Sequence, residues 1–190
     1  MVKKTALVGL VLMSAGCWGT LATQAFHTVA GPMGRYEIIS QSAEKAQMAR
    51  YKTIEVAPFE NTMPTLIKEG VAEAVQSEIV AIISRSGKVI SVTPVETYQK
   101  TAAPAPTLVV TGALVDITKD TLPGERLVSN ANHLIVRVKL LDKGSGRVLV
   151  DASLRGYVKS AVDLPQESLA KGVARAAERL LKEVCAWDEK

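Results

Sequence analysis

The stretch LIVRVKLLDKGSGRVLVDASLRGY, residues 134–157, holds the pattern that decides the fold. Apolar and polar residues alternate on both sides of a glycine-containing turn, which is typical of two antiparallel strands joined as a hairpin. Pairing Asp142 with Val148 brings the apolar positions of both strands onto one face. The same register sets Lys139 beside Asp151, whereas a shift by one residue would move charged side chains onto the apolar face. We therefore predict this register for the hairpin.

The turn and the segment before the hairpin complete this half of the sheet. The loop has an odd length in this register, which predicts a glycine bulge at Gly146. Residues 108–117 are almost continuously apolar, as in a central strand. Residues 118–131 form a long polar connection, which is either a partner-binding loop or the exposed tip of a hairpin. The candidate contact residues in this connection are Asp120, Glu125 and Arg126.

A strand, helix, strand unit precedes this half of the chain. Ile54 and Val56 alternate with polar residues as in a strand. Apolar residues then recur every three or four positions across residues 66–83, and Gly87 provides a helix stop. Residues 88–93 have the composition of a second short strand. Such a unit normally places its two strands parallel in one sheet.

The last helix is predicted between Asp163 and Cys185. Asp163 can cap its N terminus while Gln166 reaches back to the backbone. One helix face is apolar. A basic stripe follows another face at every fourth residue: Lys171, Arg175 and Arg179. This stripe either contacts anionic lipid or a glycan polymer, or it is a solvent-exposed face crossed by ion pairs such as Glu178 with Lys182.

These elements predict an α/β (α+β) domain with two layers, in which two long helices cover one face of a mixed sheet of about five strands. The predicted order of elements is β-α-β-β-β-β-α, and the domain spans residues 51–187. Residues 17–50 are small and polar without a sustained period, so we assign them to a tether.

The N terminus has the three parts of a secretory signal. Lys3 and Lys4 are followed by an apolar run over residues 6–13 and then by small residues. The run is shorter than the roughly 20 apolar residues that cross a bilayer. We therefore assign residues 1–16 to a signal peptide that is removed.

The small residues end at a cysteine, and Ser14-Ala15-Gly16-Cys17 resembles the lipobox of bacterial lipoproteins. In that family the cysteine becomes the N terminus and carries acyl chains such as palmitate, which implies that Cys17 is a membrane anchor. Ser14 departs from the leucine that a lipobox usually carries, and ordinary signal cleavage is the alternative. Trp18 stands where an aspartate retains lipoproteins at the inner membrane. The resemblance therefore implies a position at the outer membrane, facing the periplasm.

Composition restricts the function further. The chain of 190 residues is 47% apolar and 22% charged, with only 2 cysteines and 2 histidines, which excludes a disordered chain and leaves little metal chemistry. The formal charge is +4, and removing Lys3 and Lys4 from the 23 basic residues, against 19 acidic ones, leaves +2. Charge alone therefore indicates no nucleic-acid partner. The sequence contains no HExxH, CxxC, GxSxG or phosphate-loop motif, so we expect no enzyme activity, cofactor or metal.

Three segments resemble a group of envelope lipoproteins. They are YKTIEVAPFEN (51–61), LVVTGAL (108–114) and LDKGSGRVL (141–149). The group includes the curli secretion-channel lipoproteins, the lipoprotein activators of penicillin-binding proteins and the N-terminal domain of the Tol-system beta-propeller protein. The order of elements is also similar to that of a family of bacterial lipoproteins of unknown function. The resemblance implies this fold over residues 51–184 and action through assembly and partner binding.

Together these features predict a non-catalytic, membrane-anchored envelope lipoprotein that acts as a binding or assembly factor. Its expected partners are the membrane and an envelope protein, which an exposed sheet edge or residues 118–131 would contact. The edge strands would also permit a homo-oligomer. One alternative is a periplasmic carrier of lipid or another small ligand, which needs an apolar cavity. A second alternative is a periplasmic enzyme, which needs a pocket with perturbed acids.

Overall fold

The computed structural model describes residues 31–101, 105–121, 130–160 and 165–187. Within these ranges six strands and three helices follow one another along the chain. They are β1 (Met33–Gln41), α1 (Lys45–Met48), β2 (Thr53–Asn61), α2 (Val71–Ser86), β3 (Ser91–Pro94), β4 (Thr107–Thr121), β5 (Asn130–Asp142), β6 (Val148–Ser160) and α3 (Ser168–Val184).

The six strands form one mixed sheet in the order β1-β6-β5-β4-β2-β3. β1, β6, β5 and β4 run antiparallel in succession, whereas β2 lies parallel to both β4 and β3. The β2-α2-β3 unit is therefore a parallel crossover, as its sequence pattern predicts. α2 and α3 pack side by side on the sheet, and buried apolar side chains between the two layers form the main core. The predicted two-layer architecture is confirmed.

The counts of strands and helices differ from the prediction. The sheet has six strands instead of about five, and the order of elements is β-α-β-α-β-β-β-β-α. The additional β1 and the four-residue α1 lie within residues 33–50, which the sequence pattern assigns to the tether. On its core side β1 buries only Gly34 completely, while Tyr36 and Ile38 are half-buried. A strand that buries so little shows no clear alternation of apolar and polar residues, which explains the wrong assignment.

The register of the β5-β6 hairpin is confirmed along most of its length. Lys139 lies opposite Asp151, and the apolar positions of both strands face the helices. Nearer the turn the pairing shifts, and Leu141 instead of Asp142 lies opposite Val148. The predicted pair at the turn is therefore wrong by one residue.

The bulge that causes this shift lies at Leu149 and not at Gly146. Leu149 is 1% exposed and the next residue, Val150, is 0% exposed, and both belong to the main core. Because a bulge turns two consecutive side chains toward the same face, it lets both contribute to the core. Gly146 still has a left-handed backbone, with a φ of 71°, and its N–H donates to the carbonyl of Asp142 at 2.8 Å.

The predicted central strand over residues 108–117 lies within β4. Much of the polar connection over residues 118–131 is also strand, because β4 continues to Thr121 and β5 begins at Asn130. This favours the interpretation of the connection as a hairpin. Residues 122–129 lie outside the described residues.

Hydrogen bonds join the start of α3 to the segment before α2. α2 ends before Gly87, which has the predicted left-handed backbone with a φ of 64°. α3 begins at Ser168, later than predicted, and the expected cap Asp163 lies outside the described residues. Gln166 does not reach back to its own helix. Its side chain accepts from the N–H of Lys68 at 2.8 Å and donates to the carbonyl of Leu66 at 2.9 Å, which ties the start of α3 to the segment before α2.

Three glycines make the closest contact between the layers, where α3 crosses β1 and β6. A Cβ built on Gly34 would lie 2.1 Å from the carbonyl oxygen of Gly172. A Cβ built on Gly172 would lie 2.5 Å from the carbonyl oxygen of Met33, and one on Gly156 would lie 2.5 Å from that of Leu169. Since real Cβ atoms do not approach backbone this closely, only glycine fits at these positions.

The sheet face that points away from the helices is covered in part by the segment after β3. Val95 and Tyr98 of this segment pack against a small cluster of Ala57, Val109 and Leu141. Charged side chains of β1, β5 and β6 lie on the remaining part of this face, beginning with Arg35 opposite Arg155.

Candidate functional site

The structure describes only part of the predicted contact set. Cys17, Glu125 and Arg126 lie outside the described residues. Asp120 lies near the end of β4, and its side chain also lies outside the description. The basic stripe of α3 is fully described, and its members are exposed: Lys171, Arg175 and Arg179.

Two arginines of this stripe bind the backbone of the edge strand β1. Arg175 Nη1 donates to the carbonyl of Pro32, and Arg179 Nη1 donates to the carbonyl of Gly34 at 3.1 Å. These two carbonyls are two residues apart, so they point to the same side of the strand. The arginines therefore cap the free edge at the start of β1, a position where an unpaired strand would otherwise attract another strand.

A third contact on the same side of α3 also joins this helix to β1, and we call the three contacts the clamp. The hydroxyl of Tyr36 donates to Glu183 Oε2. This hydrogen bond, together with burial, raises the pKa of Tyr36 to about 12. β1 is thus held against α3 by residues 175, 179 and 183, which are spaced one helical turn apart.

A second group of cations lies next to these, on the sheet face that the helices leave open. Arg35 of β1 lies directly opposite Arg155 of β6, and both are exposed. Neither forms an ion pair with any other residue in the described part of the chain. The guanidinium of Arg35 lies 5.8 Å from the ring centroid of Tyr157. Tyr157 in turn stacks on His133, with ring centroids 5.6 Å apart.

Five cations therefore surround the start of β1, and we call them the basic edge: Arg35, Arg155, Lys171, Arg175 and Arg179. Gly31, the first described residue, also lies here, because a Cβ built on it would lie 3.7 Å from Arg175 Nη1. Glu37 is the acidic residue next to this group on β1. The arrangement can attract and hold oxyanions, since guanidinium groups match the geometry of carboxylate and phosphate.

An open groove of about 640 Å³ lies between α2 and α3 and borders the basic edge. Ala81, Ile82 and Ala174 form its apolar part. The charged residues that line it are Glu78, Arg85, Lys171 and Arg175. Such a groove suits an amphipathic anion better than a neutral polar ligand.

Other ionisable groups with shifted pKa values lie in contacts between elements or in the core. The Arg137 guanidinium holds the pKa of Asp151 below its usual range through hydrogen bonds at 2.5 and 2.8 Å. Burial and a 2.7 Å hydrogen bond to Asp142 raise the pKa of Tyr51 to about 12. Burial raises the pKa of the Cys185 thiol to about 12, which makes it a poor nucleophile.

The described residues hold neither a metal-binding cluster nor a membrane-spanning helix. They contain no group of three or more His, Cys, Asp or Glu side chains that could hold a metal ion. None of the helices in the described ranges is long and apolar enough to cross a membrane.

Sequence reasoning found the basic stripe but not the two arginines beside it. Arg35 lies in the segment that was assigned to the tether, and its partner strand β6 is distant in sequence. The repulsive pair became visible only when the β1-β6 register placed Arg35 opposite Arg155. A signal was nevertheless present, because Arg155 is a charged residue in the middle of a strongly predicted strand.

No protein-family model and no curated protein matches this sequence. Solved structures are similar in fold. A dodecamer of PelC from Paraburkholderia phytofirmans aligns with 78% of this chain and 97% of its own, at 21% identity and a TM-score of 0.52. A second PelC dodecamer from that organism has the same coverage, 19% identity and a TM-score of 0.48. Lipoprotein GNA1162 from Neisseria meningitidis aligns over 67% of this chain and 96% of its own, at 13% identity and a TM-score of 0.43.

Proposed function

We propose that this chain is a non-catalytic, lipid-anchored protein of the bacterial envelope that acts as a binding or assembly factor. The observation that carries the non-catalytic part is the use of its perturbed ionisable groups. Apart from the buried Cys185 thiol, each lies in a contact that joins two segments of the fold, as Tyr36 joins β1 to α3 and Arg137 joins β5 to β6. Catalytic acids and bases are instead left free to face a substrate.

The proposed anchor is Cys17, acylated after removal of residues 1–16. The lipobox-like sequence before Cys17 supports this assignment, and Trp18 favours the outer membrane facing the periplasm. Each buried methylene group of an acyl chain contributes about 0.8 kcal/mol, so more than one chain gives stable anchoring.

The anchor is tested by intact mass and membrane fractionation of the expressed chain beside Cys17→Ala. We expect a lipid-sized mass increment and membrane localisation, both lost in Cys17→Ala. An unmodified, freely soluble wild-type chain would exclude the anchor and favour ordinary signal cleavage.

We also propose that the chain self-associates through its sheet edges. PelC, whose fold is similar, is a dodecamer. Both edges of the present sheet offer exposed apolar side chains: Ile39 in β1 is 47% exposed, and Ile90, next to β3, is 84% exposed. Exposed apolar residues at a strand edge favour pairing with another copy.

A second candidate function is suggested by the groove between α2 and α3. Its apolar part and its cations Arg85, Lys171 and Arg175 would suit a fatty acid or lysophospholipid carried through the periplasm. Displacement of a fluorescent fatty acid, measured for the wild type and for Ile82→Asp, tests this function. Binding that is lost in Ile82→Asp would support a carrier, and absence of binding would exclude it.

A further inference from the structure

We propose that the basic edge docks on the anionic phosphate groups of a phospholipid membrane and so fixes the orientation of the anchored domain. This inference rests on the proposed lipid anchor at Cys17. Its central element is the pair of Arg35 and Arg155, supported by the capping arginines of α3.

The positive charge of this pair is not compensated by an ion pair with the described residues. Arg35 and Arg155 occupy directly opposite positions on neighbouring antiparallel strands. Like charges at such positions repel and destabilise a sheet. Among the described residues no carboxylate forms an ion pair with either arginine, so the charge remains available to an external anion.

Contacts with neighbouring groups restrain several guanidinium groups of the basic edge. Arg35 lies over the ring of Tyr157, and the stacking of Tyr157 on His133 supports that ring from the other strand. Less side-chain freedom is therefore lost when Arg35 binds an anion. Arg175 and Arg179 are also held in place by the β1 carbonyls. A guanidinium has five N–H donors, so each keeps donors for a phosphate oxygen.

The position of Gly31 relates the basic edge to the proposed anchor. Gly31 lies against Arg175, and Cys17 precedes Gly31 by 14 residues. Even fully extended, 14 residues span at most about 50 Å. A lipid on Cys17 would therefore keep the basic edge near the headgroups and raise its effective concentration there.

Phospholipid is favoured over another anionic partner, because attraction between arginine and an anionic membrane acts only within about 10 Å of the surface at moderate salt. The anchor would let the basic edge come within that distance repeatedly, and docking would then hold it there. Each arginine near such a surface increases binding about fivefold.

Arginine modification by phenylglyoxal, read by mass spectrometry, tests the proposal on the full chain. The wild type is purified from membranes and reconstituted in vesicles of phosphatidylcholine, or of phosphatidylcholine with phosphatidylglycerol. We expect Arg35 and Arg155 to react several-fold more slowly on the vesicles with phosphatidylglycerol, and high salt to abolish the difference. Arg147, exposed in the β5-β6 turn at the opposite end of β6, is the internal control and should react equally on both.

Matched variants sharpen this experiment. Replacing both arginines, as Arg35→Gln with Arg155→Gln, should lower the ratio of docked to free domain about 25-fold, read as loss of shielding at Arg179. Arg147→Gln should leave the shielding unchanged. Both substituted arginines are exposed, so the double variant is expected to fold, which thermal unfolding would confirm.

Failure of the anchor and failure of docking are distinguishable. Equal reaction of Arg35 and Arg155 on both kinds of vesicle, with the chain retained on each, would overturn docking and leave the anchor intact. A chain that does not float with phosphatidylcholine vesicles would exclude the anchor. In that case salt-sensitive binding to phosphatidylglycerol vesicles would still support docking, and no binding to either would overturn both.

Discussion

Gly172 is the residue on which the packing of α3 against β1 depends. Alanine is a better helix former than glycine by about 1 kcal/mol. Here its Cβ would meet two backbone atoms, the Met33 carbonyl oxygen at 2.5 Å and Gly156 Cα at 2.9 Å. Overpacking of this kind costs about 1 to 3 kcal/mol, so the clash outweighs the gain in propensity. We expect Gly172→Ala to lower the free energy of unfolding by about 2 kcal/mol in a denaturant titration.

The matched control is Gly144→Ala. A Cβ on Gly144 would have Asp142 Oδ1 as its nearest contact at 3.6 Å, which is ordinary van der Waals distance. Its free energy of unfolding should therefore stay within about 0.5 kcal/mol of the wild type. Equal stability of the two alanine variants would contradict the close approach of α3 to the sheet.

Asp142 makes the stability of the domain depend on pH. Its carboxylate accepts hydrogen bonds from the backbone N–H and the hydroxyl of Ser145, each at 2.7 Å, and from the hydroxyl of Tyr51 at 2.7 Å. The hydrogen bonds with Ser145 lower the pKa of Asp142. The stabilisation is therefore present above the unfolded pKa of about 4 and is lost as the pH falls through the folded pKa.

We expect Asp142→Asn to be less stable than the wild type by about 1 kcal/mol at neutral pH, a modest value because the site is partly exposed to solvent. The difference should shrink as the pH falls below about 4, since the wild-type carboxyl is then protonated as well. Unfolding titrations across this range measure it. Asp116→Asn is the control, because the side chain of Asp116 has no hydrogen bond with the described residues. A difference that is constant with pH would disprove the role of the charge.

At the scale of elements, the clamp between α3 and β1 protects the start of an edge strand. Arg175 and Arg179 bind the carbonyls of Pro32 and Gly34 at the start of β1, which lies at the edge of the sheet. Replacing both by glutamine should loosen the start of β1. A decrease of about 1.4 kcal/mol in the free energy of local opening corresponds to tenfold faster amide exchange at the start of β1. Hydrogen exchange of residues 33–36 measures this effect. Lys171→Gln is the matched control on the same helix face, and equal acceleration in that variant would refute the cap.

The elements that could be predicted are those whose pattern is local. Residues 134–157 fix their own register because slipping by one residue would bury charges, and Gly87 ends α2 because its backbone is left-handed. β1 could not be predicted, since an edge strand with one buried face depends on β6 and α3, more than 100 residues away. The bulge at Leu149 was also beyond prediction. Its position follows from the core space that Leu149 and Val150 fill together.

For the whole molecule, the proposed self-association gives a test at the β3 edge. Ile90 is 84% exposed beside this short strand. If copies meet there, Ile90→Lys places a charge in the contact and should reduce the assembly to smaller species in light scattering, with the unfolding of the subunit unchanged. Leu66→Lys, at a residue that is 52% exposed but lies outside the sheet, is the control. Dissociation of the Leu66→Lys variant alone would show that the copies do not meet at β3.

The candidate site could be predicted only in part. The basic stripe of α3 follows from helical spacing, but helical spacing does not show that Arg175 and Arg179 bind the carbonyls of Pro32 and Gly34. The pair of Arg35 and Arg155 depends on the β1-β6 register, which no local pattern reveals. Charge clusters assembled from distant strands are therefore found from topology, while caps, turns and helix faces are found from sequence.

The pairing of β1 with β6 also sets the order in which the fold can be completed. Met33 lies opposite Tyr157, so a strand made early has to wait for a partner made late. Contacts between residues so far apart in the sequence slow folding, and the unpaired strand stays exposed until they form. β4, β5 and β6 follow one another as hairpins and can form while β1 is still unpaired. A chain delivered from its N terminus thus closes its sheet last at the strand that was delivered first, and β1 waits until residues 42–160 have been delivered.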